Sequence, residues 1–268
     1  MRAGAWEVRG LVDGWGREPG REVLVRPGFE GDPWTAHSAL LDDGGWLSLT
    51  LGGFLVRGEG RILLVDLGAG RIDNGRYQGG GLPARLREQG VTPEQVTDVL
   101  FTHLHFDHVG WVTQRGEIQF PRARHRVHRA DWEYFVNDPE AAPGGVRKLR
   151  PVESLVDFAE DGEEVAPGVR LHLTPGHTPG HCVVRVGDEG SSVWLLGDLA
   201  HCPFELEEPG WRFTFDHDGE QAERSRVRFA QRVTGSGDLL YGAHFPDLRP
   251  GRLERGGDGV RWVPEGER

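Results

Sequence analysis

The run His103-Leu104-His105-Phe106-Asp107-His108 places three imidazoles and a carboxylate in one short stretch. It follows the apolar segment 96–101, which reads as a buried strand. The ligands therefore fall in the loop at a strand's C-terminal end, where α/β proteins assemble their sites. Imidazoles at i and i+2 of an extended turn point to one side and grip one cation; the carboxylate and imidazole that follow reach a second. A polar surface loop would account for this run alone. It does not account for side chains of the same chemistry at the ends of later predicted strands, at His177, Asp198 and His244. The chain must adopt a fold that gathers several strand ends at one rim.

The hydrophobic pattern supplies those strands. Residues 47–56 and Arg61–Val65 are predicted as two strands joined by a turn at Gly58-Glu59-Gly60, the second running into the glycine-rich Asp66-Leu67-Gly68-Ala69-Gly70. Strands are also predicted at 152–158, at Val169–Leu173 before Thr174-Pro175-Gly176-His177, at Cys182–Val186 and 193–196 joined by a turn at 187–190, and at Leu239–Tyr241 before Gly242-Ala243-His244. The last twenty residues read as a hairpin turning at 256–259. Helices are predicted at 82–89, closed by Gly90, at Thr92-Pro93-Glu94-Gln95, at 130–136, and at 219–233 with Asp218 as N-cap and Phe229 and Val233 facing inward. Residues 1–36, rich in Gly, Pro, Arg and Trp, read as an irregular N-terminal extension with one short strand at 22–25, serving either as a pocket cap or as a homodimer interface. No linker divides the chain, so 1–268 is expected to be one α/β domain in which two sheets covered by helices bring their strand ends to one rim.

Charge bounds the partners. With 42 acidic and 31 basic residues the net charge is −11, which argues against a nucleic-acid backbone. The locally basic segment 121–129 reads as an edge strand with a solvated face. Cys182 and Cys202 are the only cysteines, too few for a disulfide framework. The N-terminus lacks an apolar core of signal-peptide length, and no stretch approaches the roughly 20 apolar residues of a membrane span. The expectation is a cytoplasmic protein with no membrane or nucleic-acid partner.

Five imidazoles and two carboxylates without a thiolate suit zinc first, and also manganese, cobalt or iron, at a catalytic centre. Seven ligands exceed what one tetrahedral ion takes and suit two divalent ions sharing a carboxylate. The motifs His103-x-His105-x-Asp107-His108, Pro175-Gly176-His177-Thr178-Pro179-Gly180-His181, Gly197-Asp198 and Gly242-Ala243-His244 resemble, in order and spacing, the metallo-β-lactamase-fold hydrolase superfamily over about residues 46–250. The resemblance implies an αββα sandwich, two mixed β-sheets face to face with helices outside, and a dinuclear site between the sheets. It implies that His103, His105 and His177 hold the first metal, that Asp107, His108 and His244 hold the second, that Asp198 bridges them, and that Asp66 orients ligands from behind. His181 is expected as structural support. His37, His125, His128, His172 and His217 are expected at the surface or in packing.

A hydroxide held by two cations is a nucleophile near neutral pH, and Asp107 can pass a proton as well as hold a metal. The expected reaction is hydrolysis of a lactone or carboxylic ester, or alternatively of a phosphotriester or phosphodiester. A non-catalytic metal-binding or sensor protein is the third reading. In quorum-signal lactonases of the superfamily a tyrosine usually lies three residues after the bridging aspartate. Here that place is His201, which is similar to methyl-parathion-hydrolase-like members. His201 could donate to a developing oxyanion; packing is its other reading. Phe106, Trp111, Phe204 and Trp211 are expected to line an apolar pocket for a neutral ester, lactone or triester.

Overall fold

The computed structural model describes residues 1–138, 140, 143–188, 190–257 and 259–266. Among them an eight-stranded sheet runs in the order Arg2–Ala3, Trp6–Pro19, Trp46–Gly58, Arg61–Val65, Asp98–Leu100, Arg124–His128, Val156–Ala159, with Tyr77–Gln78 paired to Trp6–Pro19. A seven-stranded sheet runs Glu164–Ala166, Val169–Leu173, Cys182–Val186, Val193–Leu195, Leu239–Tyr241, Gly251–Gly256, Gly259–Pro264. Both sheets are mixed.

Period-2 alternation sorts the side chains into layers. Phe54, Val56, Leu63, Val65 and Leu100 of the first sheet meet Leu171, Val184, Val186 and Leu195 of the second in one buried cluster. On the far side of the second sheet, Trp194 and Leu240 pack under Phe229, Ala230 and Val233 of helix Gly219–Val233. On the far side of the first, Leu64 and Val99 pack with Leu82 and Leu86 of helix Leu82–Glu88. The result is the αββα sandwich.

Strand sense places the site. Arg61–Val65 and Asp98–Leu100 are parallel, as are Val193–Leu195 and Leu239–Tyr241. Val169–Leu173 points the same way as the latter pair, because Cys182–Val186 runs antiparallel to both neighbours. The residues that follow these strands (Asp66, the histidine run, His177, Asp198 and His244) therefore emerge at one rim.

Several sequence expectations need correction. Residues 1–36 are not irregular: Trp6–Pro19 is a 14-residue strand paired along Trp46–Gly58. Its glycines, arginines and tryptophans hid the alternation. Segment 152–158 begins as a 3-10 turn, Arg150–Leu155, with Pro151 in its first turn; only Val156–Ala159 is extended. The basic segment is no edge strand, since Arg124–His128 is paired in parallel on both sides. The strand expected at 96–101 is confined to Asp98–Leu100, because the capping box of Thr92 and Gln95 closes a 3-10 turn just before it. Residues 130–136 are one α turn, Arg129–Trp132, followed by a π turn, Glu133–Asn137. The 219–233 helix and the C-terminal hairpin form as expected, and Asp218 accepts from Gln221 N at 2.9 Å. Within the expected turns 187–190 and 256–259, Glu189 and Asp258 lie outside the described residues.

Candidate metal centre

The predicted ligands converge. Ligand atoms of His103, His105, His177 and Asp198 lie within 4.8 Å of one another, and so do those of Asp107, His108 and His244. The Asp198 carboxylate stands between the groups: Oδ2 is 3.3 Å from His177 Nε2 and 3.7 Å from His103 Nε2, while Oδ1 is 3.1 Å from both His108 Nε2 and His244 Nε2.

The hydrogen bonds behind the rings show what these atoms offer. His177 Nδ1 lies 2.9 Å from Asp216 Oδ1, His108 Nδ1 lies 2.9 Å from Asp66 Oδ2, and His244 Nδ1 lies 2.9 Å from the Thr50 carbonyl oxygen. Each acceptor draws the ring proton to Nδ1 and leaves a lone pair on Nε2. Those lone pairs point at one another and at a carboxylate. His177 Nε2 and His103 Nε2 crowd His105 Nδ1 at 2.9 and 3.0 Å. His108 Nε2 and Asp198 Oδ1 are buried with no hydrogen-bond partner. An arrangement of buried acceptors facing acceptors is stable only around positive charge. Positive charge is what this carboxylate meets: despite its burial, Asp198 is held well below the usual carboxylate range by His244 and His108, and against burial it raises His108, His177 and His244 above the ordinary imidazole value, so protons supply that charge where metal does not. His103 and His105 are pushed well below the ordinary imidazole value by burial first, then by neighbouring imidazoles, so they stand ready as neutral ligands. The donor set fits divalent metal ions.

Carboxylates deeper in the fold hold the ligand loops. Asp66 takes φ 59°, a left-handed value that aspartate tolerates. Its Oδ1 accepts from Thr102 N at 2.8 Å and its Oδ2 from Thr102 Oγ1 at 2.7 Å, beside His108. Three further acids were not recognised in the sequence. Asp216 backs His177. Asp131 accepts from Leu104 N, Thr178 Oγ1 and Gly180 N at 3.1, 3.0 and 2.6 Å, joining the histidine run to the His177 loop; burial raises it to about 6 in spite of those bonds. Asp13 sits where the Trp6–Pro19 register slips by a bulge, a device that re-aims a side chain. It accepts from Ala69 N, Gly70 N, Gly80 N, Leu82 N and Trp111 Nε1 at 2.8–3.1 Å. His181 has the supporting role expected: its Nε2 accepts from Asp198 N at 3.0 Å, and burial then the His177 charge lower it to about 3. A Cβ on Gly197 would stand 2.6 Å from Thr102 Oγ1, so only glycine lets these layers meet.

A cavity of about 230 Å³ opens beside the ligands. Leu49, Leu51, Phe106, Phe213 and Phe215 form its apolar wall, and Glu18 and Tyr77 its far rim. Of the expected pocket aromatics only Phe106 is there. Trp111 is buried under the glycine-rich loop, pinned by Asp13. Phe204 and Trp211 pack on Trp34 in a separate cluster, with His37 stacked on Phe204. Phe213 and Phe215 come from 209–218, a segment without periodicity. His201 faces the ligands: Nε2 is 3.4 Å from Asp198 Oδ2, and the ring stacks on Phe213 at 3.7 Å. Burial opposes its imidazolium, but Asp198 and Glu205 outweigh that and raise it to about 9. Glu205 accepts from His201 N and Cys202 N at 2.6 and 2.8 Å and pairs with buried Arg226, which fixes this turn. The remaining histidines pack or cap: His125 is buried near Phe101, His128 Nδ1 accepts from Ala130 N, His172 lies on Trp194, and His217 meets Tyr134.

An αββα sandwich with paired histidine–aspartate ligand groups around a shared carboxylate defines a class, the dinuclear metallohydrolase scaffold. Residues 53–244 match the family described as the Metallo-beta-lactamase superfamily, and the chain belongs to it. It is 28% identical over 227 residues to an N-acyl homoserine lactonase of Bacillus sp., spanning 77% of this chain and 86% of that one. It is 31% identical over 196 residues to the N-acyl homoserine lactonase AttM of Azorhizobium caulinodans, spanning 63% and 66%. In structure it is similar to AidC, a dizinc quorum-quenching lactonase in complex with a product, with TM-score 0.88 and 21% identity over 100% of this chain and 97% of that one. The hydrolase AbOPH aligns with TM-score 0.83 and 23% identity over the same shares. The last two likenesses concern the fold. Among the described residues no helix is long and apolar enough to cross a membrane.

Proposed function

We propose that this protein hydrolyses the lactone ring of N-acyl homoserine lactones at a centre of two divalent metal ions, zinc by preference. The observation that carries the reading is the convergence of imidazole lone pairs around Asp198 at the floor of an apolar pocket. The lactonase relatives support the substrate class. His103, His105 and His177 would hold one ion, Asp107, His108 and His244 the other, and Asp198 both. Bound there, two such ions supply Lewis acidity and a hydroxide nucleophile at neutral pH.

The protein's own groups do the rest. Leu49, Leu51, Phe106, Phe213 and Phe215 take the acyl chain and keep water from it. That seats the ester carbonyl over Asp198. His201 Nε2 lies on the same side and donates to the carbonyl oxygen as charge builds there. Asp107, 3.7 Å from His244 Nε2 and, like His105, only partly buried, takes the nucleophile's proton and returns it to the ring oxygen that leaves. The two cysteines, buried and free, suit a reducing cytoplasm.

A phosphotriester is the second reading. His201, where lactonases of this superfamily usually carry tyrosine, favours it. Rates on an acyl-homoserine lactone, an aryl ester, a paraoxon-like triester and a bis-aryl phosphodiester, after loading with zinc, manganese, cobalt and iron in turn, decide between them. The lactone is expected to give the highest kcat/KM; preference for the triester, or no lactone opening with any metal, overturns the proposal.

A further inference from the structure

A second cavity, of about 330 Å³, lies on the outer face of the seven-stranded sheet, between Val169–Leu173 and helix Gly219–Val233. It shares no side chain with the proposed metal centre. Arg224, Arg228 and Arg232 line it from the helix. Spaced four residues apart, they lie along one helix face. Their charge is not neutralised within the fold. Arg224 meets Glu220 only at 3.8 Å, with both side chains more than half exposed, a pairing worth little. Arg232 lies over the Trp194 ring at 5.0 Å. Among the described residues no carboxylate pairs with Arg228 or Arg232. On the opposite wall His172 Nε2 is buried without a hydrogen-bond partner. The one carboxylate lining the cavity, Asp161, already accepts from Leu173 N at 2.9 Å.

Three guanidinium groups around one cavity form a cationic island on a chain whose net charge is −11; the His172 ring, which burial and then Arg232 push below the ordinary imidazole value, adds a polar edge but no charge. We propose that this groove binds a phosphoryl dianion carried on a small soluble molecule. Guanidinium forks match phosphoryl oxygens in pairs, and two of them together outbid water for a dianion. At about 330 Å³ the cavity has room for more than a bare phosphate.

The test is equilibrium binding of inorganic phosphate and of glycerol 3-phosphate to the metal-loaded protein, with inhibition of lactone hydrolysis measured alongside. Phosphate held at the metal pair reports itself as competitive inhibition; phosphate in the groove does not. The expected result is a non-inhibitory site that Arg228→Ala/Arg232→Ala weakens by about tenfold or more, while the inhibition constant and the turnover stay as in the parent. Because Arg232 packs on Trp194, Arg228→Ala alone is the second variant; its side chain is exposed, and it is expected to weaken the same site with no change in melting temperature. Binding unaffected by either variant, or phosphate found solely at the inhibitory site, overturns the proposal. Cosedimentation with phosphatidic acid vesicles without binding of glycerol 3-phosphate moves the ligand to a membrane surface and also overturns it.

Discussion

Asp216→Ala is the most informative single change, because Asp216 touches no proposed metal position and reaches the site through His177 and the Phe213 backbone. Its Oδ1 is 2.9 Å from His177 Nδ1, and its Oδ2 accepts from Phe213 N at 3.2 Å. With the carboxylate present, the imidazole proton stays on Nδ1 and the Nε2 lone pair faces His105 and Asp198. Without it, the ring is free to carry its proton on Nε2, the atom that would bind metal, and to rotate. A hydrogen bond to a charged group contributes about 1.5–3 kcal/mol. Loss of such a partner behind a ligating histidine lowers metal affinity by about 10–100-fold, which corresponds to about 1.4–2.7 kcal/mol. The two magnitudes agree. Competition with a chelator of known affinity, followed as metal leaves the protein, measures the change. Asp216→Asn, which keeps an acceptor oxygen but not the charge, is expected to fall between parent and alanine variant. If Asp216→Ala keeps both metals with unchanged affinity while its fold is intact, the account of how His177 is oriented is wrong.

Three other outcomes follow from the geometry. Burial lowers His125 from 6.5 to about 4, so the stability its neutral ring contributes is fully present above pH 6.5 and is lost as pH falls toward 4; the gap amounts to about 3 kcal/mol. His125→Phe should flatten the acid limb of a denaturation series over that range, and an unchanged slope would count against the assignment. Each methylene added to the acyl chain should raise kcat/KM by up to about fourfold, from about 0.8 kcal/mol per buried CH₂, until the 230 Å³ cavity is filled; Phe106→Ala should weaken that trend, and a flat chain-length profile in the parent contradicts the pocket assignment. Asp13→Ala strands five donors at the glycine-rich loop. It should cost about 3 kcal/mol or more in urea denaturation, and a loss under 1 kcal/mol contradicts its anchoring role.

The side chains that converge were legible in the sequence because their strand ends announce themselves through an apolar run and, for three of the four segments, through a glycine that follows it. Gly176-His177, Gly197-Asp198 and Gly242-Ala243-His244 carry that signature. The acids that hold the ligands carry none. Asp131 looks like a first-turn helix residue, and Asp216 like a turn residue between aromatics; their roles exist only after chain segments 27 to 49 residues apart are packed together. Asp13 was hidden with its strand, whose alternation is broken by glycines that make room for backbone, as Gly14 does for Gln78. The pocket aromatics failed for a different reason. Trp111, Phe204 and Trp211 lie near ligands in sequence, but proximity along the chain does not say toward which layer a side chain turns.

The central claim is that Asp198 stands between two cations. Anomalous diffraction at the zinc edge from crystals of the zinc-loaded protein tests it most directly. The account predicts two peaks per chain about 3.5–4 Å apart, flanking the Asp198 carboxylate. A single peak, or none among these seven side chains, contradicts it.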